Sequence, residues 1–284
     1  MLLHLFRFLS RFPLPVLHAL GAALGWLVYL VSPTYRRRLR DNITRAGHAA
    51  HLRAAIAESG KSVLELPFVW CAPPEKVLAK ASVDDWQAAQ AILDQGRGAI
   101  FLTPHLGCFE ILAQSIAQHV QLTALYRPPR KAVLRPLIEG ARARANLLLA
   151  PANLAGVRMM LKAIKHGNPV GLLPDQVPQQ GEGAWVDFFG KPAYTMTLPG
   201  KLQQMTGAPL ILSYADRLPG GRGYRLHFVP FADPLGDTAE EQARAINAAM
   251  EKLIARNPAQ YFWSYNRYKT PAGVSAPTGA GEQA

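Results

Sequence analysis

Ala99-Ile100-Phe101-Leu102-Thr103-Pro104-His105-Leu106-Gly107-Cys108-Phe109-Glu110 is the stretch whose reading decides the fold. AIFLT (99–103) is a short, unbroken apolar run between a glycine and a proline, the pattern of a strand buried on both faces. Gly107 lets the chain turn sharply, and CFEILAQSIAQHV (108–120) then has helical spacing. A buried strand that feeds a helix leaves the loop between them at the carboxyl edge of a sheet, where α/β proteins build their sites.

The same alternation continues on both sides. LTALYR (122–127) reads as a strand, RPLIEGARARA (135–145) as a helix, LLLAP (147–151) as a strand, 153–166 as a helix and PVGLLPD (169–175) as a strand. APLILSYADRL and YRLHFVPF are paired strands around the turn residues LPGGRG, and a helix over 238–256 stops at Asn257-Pro258. Upstream, a strand-like stretch precedes the helix DDWQAAQAILDQ, which Gly96 ends. Residues 46–66 read as a helix interrupted at Glu58-Ser59, with Pro67, Pro73 and Pro74 closing the segment. Strands alternating with helices predict an α/β fold with a mixed, largely parallel sheet flanked by helices. With no repeat or long linker dividing the body, the expected organisation is an N-terminal hydrophobic membrane-anchor helix in 1–34, a catalytic domain over 35–271 and a disordered tail over 272–284.

The N-terminus sets the first functional constraint. LPVLHALGAALGWLVYLV (14–31) holds no formal charge, and its length is near the lower limit of about 17–20 residues for a spanning helix. Arg7 and Arg11 precede it; Arg36, Arg37, Arg38 and Arg40 follow. A long run, a basic cluster behind it and no small-residue cleavage site argue against a removed signal peptide. Spanning and interfacial placements both fit, and Gly21, Gly25 and His18 also suit a buried core helix. If the helix spans, the arginines behind it put the body of the chain in the cytoplasm.

The formal charge of +12, from 31 Lys and Arg against 19 Asp and Glu, calls for an anionic partner. Between Val120 and His166 nine basic residues face only Glu139, so this stretch carries +8 of that excess. Arg127 ends an apolar strand and should reach the site edge. Arg142 and Arg144 are further phosphate-binding candidates, because guanidinium forks suit phosphate, while Arg158, Lys162 and Lys165 read as a solvated helix face. A nucleic-acid partner does not explain the uncharged N-terminal run, and no aromatic-interleaved basic platform is present. Two cysteines, Cys71 and Cys108, give no disulfide framework and no zinc spacing. GxSxG, HExxH and Walker A patterns are missing from the sequence.

His105 and Glu110 are five residues apart, which on one helix would separate them by about 140°. They meet only if His105 lies in the loop and Glu110 in the first helical turn. A carboxylate on one ring nitrogen fixes the tautomer and makes the other nitrogen a general base. Backbone N–H groups near Gly107, or Arg127, are the candidate donors to an oxyanion. Cys108 beside His105 offers a different chemistry, a thiol nucleophile. Asp175 ends its own apolar run on the same sheet edge, as an organiser of arginines or of a polar substrate group.

Taken with Tyr126-Arg127-Pro128, Leu173-Pro174-Asp175-Gln176, Asp187-Phe188-Phe189-Gly190 and Tyr265-Asn266-Arg267-Tyr268-Lys269, the HLGCFE segment resembles the bacterial lipid A biosynthesis acyltransferases. These are the late lauroyl/myristoyl transferases of the lysophospholipid-acyltransferase superfamily. The resemblance runs from about Tyr35 to Pro271 and includes the apolar N-terminus; position 108, often Asn in that family, is Cys here. It implies an O-acyltransferase that moves a fatty acyl chain from acyl carrier protein or coenzyme A to a hydroxyl of an acylated, phosphorylated glucosamine disaccharide. Another lipid acceptor (a lysophospholipid, aminolipid or glycolipid) is the alternative. It further implies His105 and Glu110 as catalytic dyad, Arg127 and Asp175 as substrate-binding positions, and no cofactor or metal beyond the thioester co-substrate. The implied location is the inner membrane, with the catalytic domain facing the cytoplasm.

Overall fold

The computed structural model describes residues 2–128, 139–140 and 146–277. Seven strands form one sheet: β1 (Ala81–Asp84), β2 (Ile100–Leu102), β3 (Leu122–Tyr126), β4 (Leu147–Pro151), β5 (Val170–Leu172), β8 (Leu210–Arg217) and β9 (Tyr224–Pro230). Their order is β1-β9-β8-β2-β5-β3-β4, and every pairing is parallel except β8 with β9. The expected mixed, largely parallel α/β sheet is therefore present. The central strands are the short apolar runs of the sequence: Ile100, Phe101 and Leu102 are all buried, as strands covered on both faces require.

Among the helices, α1 (Leu2–Leu9), α2 (Leu14–Val31), α3 (Pro33–Arg45), α4 (Leu52–Leu64) and α5 (Leu66–Cys71) lead into β1 by way of α6 (Pro74–Leu78). Next come α7 (Trp86–Leu93), α8 (Phe109–Ile116), α9 (Leu154–Lys165), α10 (Leu198–Thr206) and α11 (Ala239–Arg256). Asn153 caps α9 through the Gly156 amide, and Thr238 with Glu241 forms a reciprocal capping box on α11. The helix expected over 135–145 lies outside the described residues. α4 is unbroken at Glu58-Ser59, and the helical run ends instead at Glu65. Both Glu58 and Glu65 pair with a buried arginine, Arg217.

Residues 183–196, which carry no element in the sequence reading, form a separate antiparallel hairpin of β6 (Gly183–Phe188) and β7 (Lys191–Met196). Its two central turn residues, Phe189 and Gly190, both have positive φ (47° and 68°), as a type I′ turn demands. Phe189 holds this uncommon conformation while its amide donates to Glu251 Oε1 at 2.6 Å.

α2 is long and apolar enough to cross a membrane, yet Leu14, Leu17, His18, Gly21 and Gly25 form a buried stripe along one side. That stripe packs on α4. A Cβ on Gly21 would lie 2.7 Å from Lys61 Cα, and one on Gly25 would collide with the Ile56 carbonyl. Gly60 of α4 faces them with the same lack of room. The opposite side of α2, with Leu20, Leu27, Leu30 and Val31, is exposed.

Candidate active site

β2 and β5 are parallel neighbours with Leu102 opposite Leu172. His105 and Asp175 each lie three residues further on, so the register brings them out of the sheet side by side. The Asp175 carboxylate accepts two hydrogen bonds from His105: Oδ1 from ring Nδ1 at 2.7 Å and Oδ2 from the main-chain N–H at 2.8 Å. On the other side of the ring, Gln176 Nε2 lies 3.1 Å from His105 Nε2. An amide nitrogen can only donate, so Nε2 carries the lone pair and Nδ1 the proton. Asp175 is 1% exposed. Burial raises its pKa, but the positive charge His105 bears in its protonated form, the two hydrogen bonds from it and the charge of Arg267 outweigh burial and leave the carboxylate below its usual range.

The tautomer-fixing carboxylate expected at Glu110 is thus Asp175. Glu110, in the first turn of α8, accepts a hydrogen bond from Trp70 Nε1 at 3.1 Å and lines the same cavity as His105. That cavity, of about 560 Å³, runs between α8, β3, β4 and α9. His105, Glu110, Gln176 and Arg127 contribute polar groups to it, and Ala113, Ala124, Leu147, Leu149 and Val157 are among its apolar walls. An apolar cleft with a few convergent polar groups is the usual form of a small-molecule site.

The loop that carries His105 is clamped by main-chain bonds. Its carbonyl accepts from Phe262 N–H at 3.1 Å, Gly107 N–H donates to Gln260 O at 3.0 Å, and Cys108 N–H donates to Ala215 O at 2.9 Å. Gly107 has φ +59°, and a Cβ there would strike the Ala215 carbonyl, so only glycine fits. These bonds also engage the Gly107 amide, one of the groups expected as a donor to an oxyanion. Phe109 and Phe262 flank the His105 ring, with centroids at 4.7 and 6.4 Å.

Arg127 stands exposed at the cavity, where the strand-end argument puts it. Arg142 and Arg144 lie outside the described residues. Arg158, Lys162 and Lys165 are exposed on α9, as a solvated face should be. Arg267 is buried instead, donating to Tyr194 O and Thr195 Oγ1 with its guanidinium over the Phe188 ring. Cys108 is buried too, and burial first, then the charge of Glu65, pushes its thiol well above the ordinary range. A buried thiol held protonated is no nucleophile.

Over residues 1–270 the chain matches the model of the bacterial lipid A biosynthesis acyltransferases. It belongs to that family. Curated relatives agree. The lipid A biosynthesis lauroyltransferase of Escherichia coli K12 is 28% identical over 93% of this chain and 89% of its own length. The palmitoleoyltransferase of the same organism is 26% identical over 94% and 89%, and its myristoyltransferase 27% identical over 69% and 61%. The chain is therefore an O-acyltransferase of lipid A biosynthesis type. Sequence reasoning placed Gln176 inside a motif without giving it a role, and missed Trp70 altogether. The only signal for Gln176 was its place beside Asp175 in the loop beyond β5, and adjacency alone does not say which way a side chain points.

Proposed function

We propose that the acyltransferase moves a fatty acyl chain from an acyl carrier protein or coenzyme A thioester to a hydroxyl of a phosphorylated lipid A precursor, with His105 as general base. The buried Asp175 carboxylate on Nδ1, which leaves Nε2 unprotonated toward the cavity, is the observation that carries this reading. Nε2 removes the hydroxyl proton as the oxygen attacks the thioester carbonyl. The C–O bond forms, the tetrahedral intermediate expels the thiolate as the C–S bond breaks, and the imidazolium returns the proton to the thiolate. No acyl-enzyme is needed. Gln176 occupies the base's lone pair and gives way to the incoming hydroxyl.

Glu110 completes the catalytic pair from the cavity wall, where its charge stabilises the imidazolium while it exists. Asp175 acts through His105 rather than on an arginine or on substrate. Arg127, with Arg142 and Arg144, anchors the acceptor phosphate. The exposed basic residues of α9 suit an acidic carrier protein. The exposed faces of α1 and α2, with the arginines beside them, suit the anionic surface of the inner membrane, the site opening to the cytoplasm.

The test is transfer by the purified full chain in detergent, with carrier-protein and coenzyme A thioesters and an underacylated lipid A precursor, read by mass spectrometry. One added acyl ester on the disaccharide is expected, with His105→Ala slowing it by about 10³-fold. Acylation of a lysophospholipid with none of the disaccharide would overturn the assignment of the acceptor.

A further inference from the structure

α5 is a short helix wedged between the N-terminus and α8. Its Trp70 is half-buried and has partners on both sides. One face of the indole stacks on Phe6 of α1, with centroids 5.9 Å apart and planes inclined by 18°. The indole N–H donates to Glu110 Oε2 at 3.1 Å. Leu9 and Phe12 pack into the same apolar cluster as Trp70 and Phe109.

We propose that Trp70 is a positioning residue for the acyl transfer: braced by Phe6 of the N-terminal helix, its N–H fixes the Glu110 carboxylate in the cavity wall. This inference rests on the reading of Glu110 as a catalytic residue. Glu110 is half-buried on the first turn of an eight-residue helix, and a glutamate there has several rotamers to choose from. An indole N–H can only donate, so its bond to a carboxylate is unambiguous in direction. The indole itself is rigid and is stacked on Phe6 of α1, so the orientation it imposes is rigid as well. α1 therefore contributes to site geometry as well as to membrane binding.

The experiment is a double-mutant cycle on the full chain in detergent micelles, where membrane recruitment plays no part. Glu110→Gln is expected to lower kcat by about 10²-fold, leaving activity measurable by mass spectrometry. Trp70→Phe keeps the stack on Phe6 and removes the donor. It should lower kcat by about tenfold with both Michaelis constants unchanged, and by less than twofold in the Glu110→Gln background. Should Trp70→Phe fail to fold, Phe6→Ala, which keeps the donor and removes its brace, gives the same comparison with a smaller loss. An equal fold-loss in both backgrounds, or a Trp70→Phe enzyme with full kcat beside an impaired Glu110→Gln, overturns the role of Trp70 alone. A Glu110→Gln enzyme with full kcat overturns the catalytic reading of Glu110 and this inference with it.

Discussion

At the residue scale the site depends on which carboxylate holds His105. Glu110 is near in sequence, and Asp175 is seventy residues away. Sequence reasoning placed both at the same sheet edge but joined His105 to its neighbour in the chain, because a local pattern carries no information about which strands lie side by side. The insertion of β5 between β2 and β3 decides the matter. A test follows from the tautomer. Asp175→Asn offers one acceptor where His105 needs two, and its amide can donate to Nδ1 and drive the proton to Nε2. The expected loss in kcat is about 10³-fold or more, with little change in either Michaelis constant. Stability tells the same story through pH. Because the Asp175 pKa is lowered in the folded chain, its contribution is complete above the ordinary value of 3.8 and is lost as pH falls through the lower folded value. The melting-temperature gap between wild type and Asp175→Asn should close only below about pH 4. A gap that closed on raising the pH would contradict the sign.

At the element scale, the docking of α2 is the feature that composition concealed. Its apolar run predicts burial in lipid or in protein, and the structure uses one side for protein. Beneath that side, Glu65 on the α4–α5 junction accepts from His18 Nε2 at 3.2 Å, Arg217 Nε at 2.8 Å, Arg217 Nη2 at 2.6 Å and the Tyr224 hydroxyl at 3.2 Å. Arg217 also reaches Glu58 at 2.6 Å. Because the helix runs on through the break expected at Glu58-Ser59, Glu58 and Glu65, seven residues apart, fall two turns along one face and both reach Arg217. Burial works against the Glu65 carboxylate, but the charge and hydrogen bonds of Arg217, with His18, hold its pKa at about 2. Removing one partner strands a buried charge: Arg217→Met should destabilise the fold by about 3–5 kcal/mol, and adding Glu65→Leu should restore most of that. The cost of Arg217→Met, measured by denaturant titration, should be largest at high pH, where Glu65 is charged in both chains, and should shrink as pH falls. Glu65 protonates first in the variant, where Arg217 no longer opposes burial, and in the wild type only toward about pH 2. A double variant no more stable than Arg217→Met would show that the network does more than neutralise itself.

At the scale of the whole molecule, the same docking restricts how α2 can lie in the membrane placement proposed above. The +12 of the sequence is a property of composition, and the structure gives it direction only together with the apolar surface. Leu5 and Phe8 of α1 and Leu27, Leu30 and Val31 of α2 are exposed, from 50% to 68% of their surface. Arg7 and Arg11 precede α2 in the chain and Arg37, Arg38 and Arg40 follow it, all of them exposed. A spanning α2 would have to leave α4, which breaks the glycine contacts and strips His18 from Glu65. Otherwise it would carry α4, with Arg53, Glu58 and Lys61, to a depth where charge is costly. Lying in the interface requires neither. The exposed side then enters the headgroup region while the glycine side stays on the protein. In a chain with Cys71→Ser and Cys108→Ala, single cysteines introduced as Arg11→Cys and Thr34→Cys flank α2 at its two ends. Both should react with a membrane-impermeant thiol reagent from the same, cytoplasmic side of sealed inner-membrane vesicles. Reaction of the two from opposite sides would establish a spanning helix, and α2 would then have to separate from α4 in the membrane.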